Sequence, residues 1–395
     1  MNLFIIPSWY PNSREPIAGI FTKEQALAIG SLAPNIQVIV STWGHDDGNL
    51  ALRHPDKWMR ALSWRLTQKN DQILKYDGVV EVFNPKLTCN SLFFGSINRL
   101  VDVNRRNFQL ATKHYGKIDL IHAHVSYPAG YIASILKKEF GVPYVLTEHM
   151  GPFPFPSLLK SGMPIPEIIA AFANASASIA VSPTLAKRIE GFGLGLPTVV
   201  PNMIDERQFQ LASFSSDRFI FFTLCSLTNQ KGIDHLLYAL ARWNPPSDKV
   251  ELRIGGDGPM RSTYMSLAER LGIADRVRWL GLVSRDLAPR LFQQCHTYVM
   301  PSLYETFGIV YAEAIATGKP VIATRCGGAE FIVNQNNGRL VEIGNVDDLA
   351  TTMNWMYLNW SSFDPIAIRQ DFETRFSRPS VVKKLCDIYD QVVIE

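Results

Sequence analysis

The chain has 395 residues, 47% of them apolar and 19% charged, with a formal net charge of +3. That length is enough for two domains with proper cores, and so mild a charge argues against a dedicated nucleic-acid binder. Five scattered cysteines, Cys89, Cys225, Cys295, Cys326 and Cys386, lack any CxxC spacing and indicate neither a disulfide framework nor a zinc site.

The N-terminus, Met1-Asn2-Leu3-Phe4-Ile5-Ile6-Pro7, has no basic start and too short an apolar run for a signal peptide. No run of 18 apolar residues occurs, so no transmembrane helix is expected and the expected location is cytoplasmic. Short apolar runs predict strands over 3–6, 37–41, 79–83, 120–122, 144–147, 179–181 and 198–200, with helices between them, as at 23–29 and 131–140. The pattern restarts after Pro201-Asn202. Strands are expected over 219–224, 250–254, 277–279, 297–300, 321–323 and 339–341, and helices over 232–243, 260–271, 287–294, 309–317 and 346–359. Such alternation predicts an α/β protein of two doubly wound, Rossmann-like domains, 1–201 and 202–375, each with a parallel sheet covered on both faces. Ligands bind outside the carboxyl ends of strands in such sheets, so two facing domains would enclose a deep cleft. The tail, about 376–395, carries an apolar stripe of Val381, Val382, Leu385, Ile388, Tyr389, Val392 and Val393, which could pack back on the first domain.

Glu305 and Glu313 stand eight positions apart around Phe307-Gly308-Ile309. This spacing puts one carboxylate before a helix, a glycine at its start and a second carboxylate inside it. A helix start is an anion site, because its first N–H groups lack partners. Carboxylates would repel a phosphate there but suit the hydroxyls on either side of it, which is the layout of a nucleotide-sugar. The alternative is a capping box at Ser302–Glu305 with Glu313 solvated. Gly255-Gly256-Asp257-Gly258-Pro259, between a strand and a helix, either lets a base or ribose lie against its backbone or forms a plain tight turn. Alternation places His122 and His124 on one strand face; a metal pair there lacks a third ligand in the sequence. His149 follows the next strand in the same way. Asp347-Asp348 reads as helix capping.

These blocks, in order with Pro16-Ile17-Ala18-Gly19, Pro143-Tyr144-Val145, Val181-Ser182, Lys231-Gly232, Gly281-Leu282-Val283 and Gly327-Gly328-Ala329-Glu330, resemble the retaining glycosyltransferases of the GT-B fold, family four. The resemblance implies a UDP- or GDP-sugar donor and no cofactor or metal. Glu313 would take the ribose hydroxyls and Glu305 the transferred sugar. The backbone of Phe307, Gly308 and Ile309 would hold sugar and diphosphate, and Lys231 would neutralise the leaving group. Gly19 would let the backbone approach the donor phosphate, and His124 would sit beside the bond being broken. Where the family usually has an arginine five residues before the lysine, this chain has Ser226, which offers only a neutral hydrogen bond. Arg325 and Arg14 are the candidate substitutes.

On the acceptor side, Glu148 and His149 are candidates, and Phe153-Pro154-Phe155-Pro156 either stacks on a sugar or packs on its domain. Residues 53–66 mix cations with Trp58 and Trp64, and 92–94 are apolar; both fit either peripheral membrane contact or an ordinary amphipathic helix. The expected activity is transfer to an oligosaccharide or lipid-linked saccharide in bacterial surface polysaccharide assembly. A phosphorylase or epimerase on the same architecture, or a degenerate sugar-binding protein, are the alternatives.

Overall fold

The computed structural model describes residues 1–50, 56–89 and 96–394. The chain divides into two compact units: one of Met1–Val181, Leu185–Val200 and Val381–Glu395, the other of Ser182–Thr184 and Pro201–Ser380.

The first unit is built on strands β1 (Asn2–Pro7), β2 (Gln37–Thr42), β3 (Gln72–Tyr76), β4 (Val79–Phe83), β5 (Leu120–His124), β6 (Tyr144–Glu148), β7 (Ala177–Ala180) and β8 (Thr198–Val199). Their order in the sheet is β8-β7-β6-β5-β1-β2-β4-β3. β1, β5 and β6 are buried almost throughout, as a sheet covered on both faces requires. The all-parallel expectation fails at one edge, where β3 runs antiparallel to β4. The helices used below are α1 (Ile20–Leu32), α2 (Asp56–Thr67), α3 (Ser96–Tyr115) and α4 (Tyr131–Phe140). Phe108 of α3 packs edge-on against Phe4 of β1 at 5.3 Å. Arg53 and the apolar run 92–94 lie outside the described residues.

The second unit has six parallel strands: β9 (Phe219–Leu224), β10 (Val250–Gly255), β11 (Val277–Gly281), β12 (Thr297–Met300), β13 (Val321–Thr324) and β14 (Gly338–Val341). Their order is β11-β10-β9-β12-β13-β14, so the winding reverses between β9 and β12. The helices are α5 (Ile233–Trp243), α6 (Arg261–Arg270), α7 (Ile309–Ala316), α8 (Val346–Asn359) and α9 (Pro365–Phe376). Leu236 and Leu240 of α5 and Leu349, Met353 and Met356 of α8 share one core with Phe219, Phe221 and Leu252 of the sheet. The cap of α8 is Asn345, whose Oδ1 accepts from the Asp348 amide at 3.0 Å, rather than the Asp347-Asp348 pair itself.

Helix α10 (Arg378–Ile394) closes the chain. Val381, Val382, Leu385, Tyr389 and Val392 are buried on it, whereas Val393, expected on the same stripe, is exposed. Among the described residues, no helix is long and apolar enough to cross a membrane.

Candidate active site

In the second unit the winding reverses between β9 and β12, and the carboxyl ends of strands beside such a reversal are where such sheets hold ligands. The loop after β9 ends in a short turn, Asn229–Lys231. It is tied to the loop after β12 twice: the Leu303 amide donates to Gln230 O and Gln230 Nε2 donates to Tyr304 O, both at 2.8 Å. This stitching brings Lys231 Nζ to 2.6 Å from Glu305 Oε1, and Ser302 Oγ donates to the same oxygen at 2.9 Å. Ser302 and Glu305 therefore bond to each other instead of forming a capping box. The backbone of Glu305 is anchored as well. Its amide donates to Cys326 O at 3.0 Å and its carbonyl accepts from Gly328 N at 2.8 Å. Glu305 is 9% exposed, and its second oxygen has no hydrogen-bond partner among the described residues. A buried carboxylate with one oxygen fixed and the other open suits a hydroxyl ligand.

Two residues further on the chain turns into α7. Gly308 takes φ +87°, and a Cβ there would lie 2.5 Å from the Tyr311 ring, so the left-handed turn requires glycine. The helix that follows presents its first amides without intrahelical partners. Phe307 is buried edge-on against Phe376, and the preceding Thr306 carbonyl accepts from Ser182 Oγ at 2.6 Å.

Glu313 lies in the second turn of α7 and is 2% exposed. Arg285 Nη1 reaches Glu313 Oε1 at 2.5 Å, and its guanidinium stands over the Phe209 ring. Arg285 was missing from the sequence-based site: it lies 28 residues from its partner, in a loop without a motif.

Gly256 sits where the loops after β9 and β10 cross. Its φ is +116°, and a Cβ would fall 1.8 Å from Cys225 O, so close backbone approach already accounts for this glycine. Ser226 is exposed, and among the described residues it bonds through its carbonyl, to the Thr228 amide at 2.9 Å. Arg325 is committed to Glu342 at 3.1 Å. Burial pushes the Cys225 thiol up to about 12, which leaves it inert beside this site.

In the first unit the winding reverses between β1 and β5. Gly19 caps α1 in the loop after β1, and His124 ends β5. His122 and His124 do share a face, with ring centroids 4.1 Å apart. His124 Nδ1 lies 3.1 Å from His149 Nε2, while its own Nε2 is buried without a hydrogen-bond partner. Burial holds His124 well below the usual histidine range, and the neighbouring His122 and His149 add to the effect. Glu148 is placed differently from expectation. It is fully buried, with its two oxygens accepting from the amides of Ser126, His149 and Met150 at 2.8–3.0 Å. That makes it the anchor of the turn, not a group offered to an acceptor. Phe153 is likewise buried, against Phe172 and Phe192, so its half of the aromatic loop packs on its own unit.

A family model described as "Glycosyltransferase Family 4" matches residues 34–208, and one described as "Glycosyl transferases group 1" matches residues 204–370. An uncharacterized glycosyltransferase of Methanocaldococcus jannaschii is 32% identical over 166 residues, which are 41% of this chain and 42% of that protein. For the first three curated relatives the matched stretch covers between 42% and 63% of their own length. Whole-chain likeness appears among solved structures. Sucrose-phosphate synthase from Thermosynechococcus elongatus aligns with a TM-score of 0.77 at 18% identity, over 100% of this chain and 99% of that one. HepE from Anabaena, solved in complex with UDP, aligns with a TM-score of 0.71 at 21% identity, over 99% of this chain and 100% of that one. Two consecutive family matches on a GT-B fold place the chain in the group 1 glycosyltransferases of family 4.

Proposed function

We propose that this protein moves a sugar from a UDP- or GDP-sugar to a saccharide or lipid-linked saccharide, with retention of anomeric configuration, in bacterial surface polysaccharide assembly. The observation that carries this reading is the 2.6 Å Lys231–Glu305 pair at the switch point of the second unit, directly before the Gly308 turn and the helix that bears Glu313. Breaking a glycosyl–phosphate bond leaves negative charge on the departing diphosphate, and stabilising that charge is the main catalytic task. Lys231 and the free amides at the start of α7 supply positive potential for it. Glu305 Oε2 takes a hydroxyl of the transferred sugar, and Glu313 takes the ribose. Attack on the same face, with the donor phosphate helping to take the acceptor proton, accounts for retention without a protein nucleophile. Peripheral contact with a membrane surface through α2 belongs to the same reading. UDP bound to HepE makes uridine donors the first to try.

The test is a thermal-shift panel of nucleotides and nucleotide-sugars, followed by turnover with the donor that stabilises most. Lys231→Ala and Glu305→Gln should each lower turnover about a hundredfold or more while the protein stays folded. Unchanged turnover in both variants would remove the site assignment.

A further inference from the structure

The loop from Ser8 to Gly19 joins β1 to α1 and stands at the carboxyl end of β1, beside the reversal of winding in the first unit. Polar contacts tie it down at three points. The Ser8 amide donates to His124 O at 3.1 Å, and Ser8 Oγ accepts from the Ala129 amide at 3.0 Å. The Tyr10 hydroxyl lies 2.9 Å from that of Tyr76, which donates in turn to Glu81 Oε2 at 3.0 Å. Asp47 holds the far half of the loop: its Oδ2 accepts from the Ser13 amide at 3.1 Å and its Oδ1 from Ser13 Oγ at 2.5 Å. Asp47 is 8% exposed, whereas residues 13–17 are all exposed. Burying a carboxylate is costly unless hydrogen bonds offset it. Here a buried acid serves a segment that adds nothing to the core. What it supplies is a fixed backbone, which lowers the ordering cost for a ligand that the loop binds.

Within this fixed loop Trp9 is partly exposed. Its ring lies 6.1 Å from Phe155, in the segment after β6, and 6.5 Å from Phe21, in the first turn of α1; both are partly exposed as well. Phe153 is buried, so Phe155 is the half of the aromatic loop left for a ligand. The Trp9 indole N–H has no hydrogen-bond partner among the described residues. Rings with an open donor at one edge match a pyranose, which presents a face of C–H groups and a rim of hydroxyls. An alkyl chain would leave that donor unused.

We infer that Trp9, with Phe155, is the surface on which the acceptor's sugar ring stacks, and that Asp47 is a positioning residue that holds this surface through Ser13. The inference rests on the transferase reading above and names residues for its acceptor. Saturation-transfer NMR of the full chain with methyl β-glucoside, methyl β-galactoside, methyl α-mannoside, cellobiose and maltose tests it. At least one of these should bind wild type, with saturation strongest on the C–H protons of one ring face. Trp9→Ala should weaken that sugar about tenfold, and Trp9→Phe by no more than about threefold. Asp47→Ala should weaken it about threefold, and Asp47→Asn, which keeps an acceptor for the Ser13 amide, should restore most of the loss. A melt of each variant, run alongside, shows that it is folded.

If wild type binds none of these sugars while a nucleotide still raises its melt, the stacking surface is overturned and the transferase reading stands. Sugar binding without any nucleotide shift would remove that reading and leave the surface standing. Wild-type affinity in both Trp9→Ala and Phe155→Ala, or saturation spread evenly over the sugar, would overturn the surface. Wild-type affinity in Asp47→Ala would take away its positioning role.

Discussion

Arg285 and Glu313 form a pair in which the carboxylate is almost wholly buried and the guanidinium is about a third exposed. Truncating Arg285 to Met would take one charged partner from an acid that water hardly reaches. Because the arginine side is partly solvated, the expected cost is about 1–3 kcal/mol, below the figure for a fully buried pair. In the proposed reading the variant should also weaken nucleotide binding, since Glu313 loses a contact that helps hold its rotamer. Thermal melts with and without nucleotide separate the two effects; a wild-type melt and a wild-type affinity would together deny Arg285 any role. The histidines of β5 set a pH dependence. Burial pushes His122 down to about 3 and holds His124 low as well, against about 6.5 in an unfolded chain. Between those values the unfolded state binds more protons, so this contribution is complete above pH 6.5 and is lost as pH falls towards 3. Glu148 acts in the opposite sense: burial raises it, so its protonation favours the folded state as pH drops. His122→Gln should therefore flatten the acid limb of stability against pH by up to about 1.4 kcal/mol per pH unit. An unchanged slope would mean that His122 takes up its proton without unfolding.

At the scale of elements, α10 shows how a terminal helix acquires a specific seat. Tyr389 is fully buried, and its hydroxyl lies 2.7 Å from His122 Nδ1. A buried hydroxyl proton needs an acceptor, so Nδ1 accepts and Nε2–H donates to Thr147 Oγ1 at 2.7 Å. Tyr389→Phe leaves Nδ1 without its donor and should destabilise the first unit by about 1–3 kcal/mol, read as a lower midpoint in urea. No change would show that the apolar stripe alone seats the helix. The stripe itself was legible from spacing, except that Ile388 is only partly buried and Val393 faces out near the end of the helix. Helices 131–140 and 346–359 and strands 79–83, 219–224 and 297–300 were legible to the residue, because each is a clear period between breakers. β3 was not: Gln72–Tyr76 is an edge strand with no buried residue, so it lacks the apolar run that marked the others. α9 was also missed; its buried residues Ile368, Phe372 and Phe376 are too sparse to stand out, and its cap, Asp364, precedes a proline. Of the site, the Glu305–Glu313 block and Lys231 lay in the sequence, but their contact did not, because it depends on two loops 74 residues apart meeting at a switch point.

For the molecule as a whole, the chain path has a thermodynamic consequence. The first unit is discontinuous: it is left at Val200 and regained at Val381, while nearly all of the second is one stretch, Pro201–Ser380. Each unit has its own buried sheet, so calorimetry of the full chain should resolve two transitions instead of one. Only the second unit contains the Lys231–Glu305 site, so a bound nucleotide should raise its transition and leave the other in place. At a hundredfold excess over the dissociation constant the gain is about 2.7 kcal/mol, or roughly 5–10 °C for a unit of this size. Removing the chain after Ser380 exposes the surface that Val381, Leu385 and Tyr389 cover, so it should depress the other transition. A single transition that nucleotide and truncation move together would show that the units unfold as one body. In that case the stabilities argued above for each unit would have to be measured on the whole chain.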